Sequence, residues 1–171
     1  MAQFFLQGWR MYLPDVAVLA AVFAALLLRK RREGWRRNGL RALFFVYLTG
    51  VLWVTVLPVL SLLPCPFHYA PMELRPFFDL KQGYGNAARQ LALNVVMTIP
   101  FGLLYPPLRK RGFFATAAAT LVLSLTIELV QPLLPTARTA DITDVICNTA
   151  GGIIGYVLHL LFRPLFSSGY R

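Results

Sequence analysis

Glu128 lies in the run Thr126-Ile127-Glu128-Leu129-Val130-Gln131, some six residues from the end of a long apolar stretch. At 1.5 Å per residue that is roughly 9 Å inside a membrane-crossing helix. A carboxylate at such depth costs at least about 2.5 kcal/mol, so it has to be paired, protonated or used. Raised in pKa by burial, it would serve as a general acid or base. Gln131, three residues on, and Ser124, four back, share its face. Asp141 and Asp144 open a second pattern, in which Asp141, Asp144, Asn148, Gly151 (or Gly152) and Gly155 recur every three or four residues. That is one helical face, polar in its outer half and bare of side chain toward the centre. Two carboxylates three apart could hold a hard divalent cation through oxygens. Arg138, just ahead, offers a guanidinium to phosphate or carboxylate. A third face carries Gln90, Asn94, Thr98 and Gly102 at intervals of four.

Each residue also has a plainer use. Asp141 fits as a helix cap, with Asp144 in the first turn against the positive end of the helix dipole. Arg138 fits as an interfacial side chain, and Asn94, Gln131 and Asn148 as interhelical hydrogen-bond partners.

Helices must position these groups. Of 171 residues 57% are hydrophobic and only 14% charged, with a mean hydropathy of +0.60. A soluble domain is about a quarter charged, so an ordinary globule is excluded, and so apolar a chain is not disordered. Five apolar runs, roughly 11–28, 42–63, 91–108, 113–134 and 142–166, are each long enough, or nearly so, to cross a hydrocarbon core of about 30 Å. They do not alternate as barrel strands would. The expectation is an all-α, polytopic bundle of five transmembrane helices forming one domain over 1–171. The basic cluster follows the first run instead of preceding it, which makes that run an anchor and not a cleaved signal.

Charge orients the bundle. The link 29–41 holds seven Lys and Arg residues and the link Arg109-Lys110-Arg111 three, which predicts that both face the cytoplasm. The alternate links, 64–90 and 135–140, hold two acids, Glu73 and Asp79, and only Arg75, Lys81, Arg89 and Arg138 as bases. The N-terminus is therefore expected outside and the C-terminus inside. The net charge of +10 needs no nucleic acid to explain it, since no reader motif accompanies it and anionic headgroups are the better partner. Cys65 and Cys147 are expected to be buried thiols, with a disulfide as the alternative. No spacing suits zinc, and His68 and His159 fall near opposite faces; no metal or other cofactor is expected. The link 64–80, with its four prolines and many aromatics, should lie along the outer surface or dip between helices. By depth, Asn94, Glu128, Asp144 and Asn148 all fall within roughly 5 to 12 Å of the outer boundary, which predicts one polar pocket open to the outer leaflet.

Leu74-Arg75-Pro76-Phe77, Asn94 followed by Ile99-Pro100-Phe101-Gly102, Glu128-Leu129-Val130-Gln131, then Arg138, Asp141, Asp144, Asn148 and Gly151-Gly152 together resemble the VanZ-like membrane proteins. The likeness covers roughly 53–162. It implies a small multi-pass protein of the bacterial cytoplasmic membrane, related to one associated with low-level teicoplanin resistance. In this chain Glu73 and Arg75 flank Leu74, where a more polar lead-in is usual.

Three functions remain open at this point. In the first, the pocket binds a lipid-linked or lipidated envelope ligand, such as a peptidoglycan precursor or teicoplanin. Arg138 meets its phosphate or carboxylate, Asn94, Glu128, Gln131, Asp141, Asp144 and Asn148 supply further polar contacts, and the glycine face admits an acyl chain. The second is an intramembrane enzyme acting on a lipid phosphate, with Glu128, Asp141 and Asp144 as catalytic candidates; no activated nucleophile is apparent. The third, a transporter with Glu128 as its proton site, has few helices and no inverted repeat to support it.

Overall fold

The computed structural model describes residues 9–30, 34–57, 71–133 and 139–167. Five helices in it are long and apolar enough to cross a membrane. α1 is Leu13–Lys30, entered through a 3-10 turn at Trp9–Tyr12. α2 is Trp35–Thr55, α3 Ala87–Arg109, α4 Phe113–Val130 with a 3-10 turn at Gln131–Leu133, and α5 Ile142–Ser167. No strand is formed among the described residues. The protein is an all-α, multi-pass membrane protein.

The second helix departs from the sequence reading of 42–63, starting seven residues earlier at Trp35 and ending at Thr55. Apolarity marks only the part inside hydrocarbon, and Arg36, Arg37 and Arg41 are good helix formers that extend the helix into the polar layer. In the sequence Pro58 follows three residues on, and a proline disfavours helical geometry just before it and lacks the N–H that would continue the ladder.

α5 is the hub. It lies along α3 and also packs on α4, whereas α1 touches chiefly α2. The α3–α5 approach is close because both sides are bare: a Cβ on Gly102 would overlap the Gly152 carbonyl, one on Gly151 the Val95 carbonyl, and one on Gly155 the Ile99 carbonyl. Gly152 faces Thr120 of α4 in the same way. The glycine face is thus filled by neighbouring backbone, and the room expected there for an acyl chain does not exist.

α3 runs unbroken through Pro100, Pro106 and Pro107. Proline disturbs the preceding carbonyls, and near Pro100 the Tyr47 hydroxyl of α2 donates to the Met97 carbonyl at 2.8 Å. Such outside donors let membrane helices keep proline.

Contacts sort the helix ends. Tyr12 stacks on Trp53, Gln131 bonds Thr55, and Glu128 meets Asp141, so the starts of α1, α3 and α5 share one end with the close of α2 and α4. Phe23 with Phe45, and Phe113 with Tyr156, tie the bundle nearer the other end. Every described Asp and Glu, namely Asp15, Glu73, Asp79, Glu128, Asp141 and Asp144, belongs to the first end.

Candidate functional site

A helix begins with amide N–H groups that have no partner within the helix. At the start of α5 they draw in three other parts of the chain. Asp141 is the N-cap: its Oδ1 accepts from Thr143 N–H at 2.7 Å, while its carbonyl accepts from Asp144 N–H at 3.2 Å. Asp144 stands at the third helical position, where an acid could turn back to the cap's own N–H. That N–H goes instead to Glu128 Oε2 of α4, at 3.1 Å. Ile142 N–H donates to the Glu73 carbonyl at 3.0 Å, and Glu73 N–H to the Ala140 carbonyl at 2.9 Å, which lays the link between α2 and α3 against the start of α5 as an isolated parallel bridge. Phe77 N–H then donates to Thr143 Oγ1 at 3.0 Å. The positive end of the α5 dipole thus has Glu128, Asp141 and Asp144 around it.

Removing the cap tests this arrangement. Asp141→Ala is expected to cost about 0.5–2 kcal/mol and Asp141→Asn much less, since asparagine caps about as well as aspartate. Thermal unfolding of the purified variants in detergent measures both.

Above the helix start the link turns sharply at Phe77, whose backbone is left-handed with φ 59°, and makes one helical turn, Phe78–Lys81. The prolines do not exclude all helix here, and the described part of the link docks on the bundle. Between this turn and the starts of α3 and α5 lies a small open cleft, whose enclosed part has room for about one water molecule. Its polar lining is Asp79, Gln90, Asp141, Thr143 and Asp144, set in a wall of Phe77, Leu80, Ala87 and Leu91. The lining offers carboxylate oxygens, a hydroxyl and an amide, and no basic side chain.

Arg75 points away, its guanidinium bidentate to Glu73 at 2.9 and 2.7 Å and 3.8 Å from the centre of the Phe78 ring. This pairing holds the Glu73 carboxyl at about 2, below its ordinary 4.5, and pushes Arg75 up. A carboxyl lowered by folding stabilises the fold above its unfolded value and loses that contribution as pH falls through its folded one. The stability gap between the parent chain and Glu73→Gln is therefore expected at neutral pH and to close as pH falls from about 4.5 toward about 2. Arg75 is 66% exposed, so the gap is small and salt-sensitive.

The structure divides what the sequence grouped into one hollow. Asp141 and Asp144 line the pocket, but Glu128, Gln131 and Asn148 do not, and all three are buried between helices. Asn148 Nδ2 donates to Ser124 Oγ at 2.8 Å, its carbonyl accepts from Thr98 Oγ1 at 2.6 Å, and its own Oδ1 has no hydrogen-bond partner among the described residues. Gln131 Nε2 donates to the Thr55 carbonyl at 3.2 Å and so closes the end of α2. Asn94 is half-buried on α3, and its carbonyl accepts from Thr98 Oγ1 at 3.1 Å. Arg138, Cys65 and His68 lie outside the described residues; Cys147 is a buried free thiol. Among the described residues no three His, Cys, Asp or Glu side chains gather as a metal would need.

Sequence reasoning missed Asp79, Thr143 and the Glu73 bridge as parts of the site. Thr143, two residues after a capping Asp, carried a local signal; Asp79 and Glu73 reach the site only through the tertiary path of the link.

A family model for VanZ/LLP1 matches residues 44–163. Over 124 residues the chain is 37% identical to Protein VanZ of Enterococcus faecium, a stretch covering 70% of this chain and 72% of that protein. No solved structure matches. The matched region takes in most of α2, all of α3 and α4, the link between α2 and α3 and most of α5, and with it every residue of the capped α5 start and the pocket: the chain belongs to the VanZ/LLP1 family.

Proposed function

We propose that this protein works in the bacterial cytoplasmic membrane, lowering susceptibility to teicoplanin by binding a lipid-linked or lipidated envelope ligand at the pocket end of the bundle. That end faces outward, with the N-terminus outside and the C-terminus inside, because the basic links cluster at the other. Kinship to Protein VanZ supports the resistance role. The observation that carries the binding role is the pocket between the outer link, α3 and α5, with its five polar residues.

Its chemistry narrows the ligand. Asp79, Asp141, Asp144 and Gln90 attract ammonium, amide N–H and sugar hydroxyl groups, and they repel phosphate unless a base from elsewhere intervenes. In so small a cleft a single hydroxyl, amide or ammonium group from the sugar or peptide of a peptidoglycan precursor or of teicoplanin would sit, with the rest of the ligand against the rim and the acyl chain in the surrounding lipid. A binding role also suits Glu128 better than catalysis. Glu128 is 2% exposed, holds the Asp141 amide and lies outside the pocket lining, so it has no direct path to a reacting group.

Expression in a teicoplanin-sensitive host tests the proposal. The parent chain is expected to raise the inhibitory concentration, and Asp79→Asn with Asp144→Asn to abolish most of that rise at matched protein levels. Equal protection by parent and double variant removes the pocket from the function.

A further inference from the structure

One side of the cleft is formed by the helical turn Phe78–Lys81, and that turn sits between two left-handed residues, Phe77 (φ 59°) and Gly83 (φ 72°). Glycine takes such a φ freely, whereas for phenylalanine the bias against it is roughly 5- to 30-fold. Lys110, also left-handed, ends α3, where such a residue is ordinary. Phe77 instead leads into a helical turn, and its strain is held by the contacts around it.

The turn is closed on itself. Lys81 N–H donates to the Phe77 carbonyl and Gln82 N–H to the Phe78 carbonyl, both at 3.0 Å, while Gly83 and Tyr84 N–H donate to the Leu80 and Asp79 carbonyls at 3.2 and 3.1 Å. What ties it to α5 is Phe77 N–H, on Thr143 Oγ1 at 3.0 Å. Across Phe77 run a long bond from Phe78 N–H to the Arg75 carbonyl, 3.3 Å, and the stacking of Arg75 on Phe78, where the guanidinium is open to water. Both flanks are anchored: Glu73 is bridged to Asp141 ahead of the turn, and behind it Ala87 N–H holds the Tyr84 carbonyl as α3 begins. A self-contained unit between fixed flanks, with a left-handed residue at each end, has the build of a hinged element. It carries Asp79 and Leu80 into the cleft wall opposite Asp141 and Asp144.

We infer that Phe78–Lys81 is a flap, hinged at Phe77 and Gly83, that swings away from α5 to admit a ligand group to the cleft. If the cleft is the binding site proposed above, the flap answers its size. With the flap down the enclosed space takes about one water-sized group, and a sugar or peptide reaches the carboxylates only when it is raised. Opening breaks the Phe77–Thr143 bond and lets Phe77 return to ordinary backbone geometry, so the strain at that residue favours the raised state.

The test places spin labels on Lys81→Cys at the flap and Leu129→Cys on α4, both exposed, in the full chain with Cys65 and Cys147 replaced by alanine. Pulsed electron resonance on the chain in lipid nanodiscs, without any ligand, is expected to show two label distances. Phe77→Gly and Phe77→Ala both remove the ring, but only glycine accepts the left-handed backbone, so the closed-to-open ratio is expected to be about fivefold higher in the glycine variant. A single distance with Phe77 in place overturns the inference, and so do equal ratios in the two variants. Because no ligand enters the measurement, its failure leaves the binding role of the cleft standing; the Asp79/Asp144 double variant in the susceptibility test judges that role alone.

Discussion

Glu128→Ala is expected to destabilise the protein by about 2–4 kcal/mol, and Glu128→Gln by about 1 kcal/mol. Glu128 is nearly inaccessible, and its Oε2 is the acceptor for the Asp141 N–H. Alanine leaves that amide buried without a partner, an omission that costs about 1–3 kcal/mol, and opens a void where the side chain stood. Glutamine keeps a carbonyl oxygen of the same reach and loses only the charge that faces the α5 dipole, worth about 0.3–1 kcal/mol. Chemical or thermal unfolding in detergent separates the two variants. Equal losses from both would mean that the acceptor contributes nothing and only the charge matters. The pair also decides a functional point. A host made resistant by the Gln variant as well as by the parent has no need of Glu128 as a proton donor or acceptor, because a carboxamide does neither near neutral pH.

The reason a buried acid is tolerated at all lies in where α5 starts. The helix begins beneath the link between α2 and α3, and its first amides are closed off by Glu73, Glu128 and Asp141. Periodicity placed Glu128 on a polar stripe near the end of its helix, and a capping role for Asp141 was readable from its position before the apolar run. What no periodicity contains is the rotation of one helix against another. Gln131 and Glu128 share a face by spacing, yet Gln131, just past the end of α4, turns to Thr55 of α2 while Glu128 turns to Asp141. Asn148 and Asp144 are one turn apart on α5, yet the first is sealed against Ser124 and Thr98 and the second borders the pocket. One layer of polar residues on three helices was thus legible by depth. Its division into a buried network and an open pocket was not, because Glu73 and Asp79 enter through a link whose path depends on tertiary contacts.

The glycines of α3 and α5 give the second large effect. Gly102→Leu and Gly155→Leu are each expected to cost at least about 3 kcal/mol, beyond the usual 1–3 kcal/mol for overpacking. The atoms in the way are backbone carbonyls, Gly152 for the first and Ile99 for the second, and no rotamer change moves a carbonyl aside. A leucine must drive the two helices apart, and the separation breaks more than van der Waals contact. The Thr98 hydroxyl would lose the Asn148 carbonyl, leaving a buried acceptor in a medium that cannot solvate it. The pocket would open as well, since Ala87, Gln90 and Leu91 on α3 face Asp141, Thr143 and Asp144 at the start of α5. Gly39 and Gly50 of α2 supply the control, for a Cβ at either meets nothing within 4 Å. Alanine there is expected to be neutral or to stabilise by up to about 1 kcal/mol, by restricting the unfolded chain. Unfolding of the four variants in detergent compares them directly. Similar losses at Gly50 and Gly155 would show that glycine acts through helix propensity, and the close α3–α5 approach would then not be what holds the pocket's two walls together.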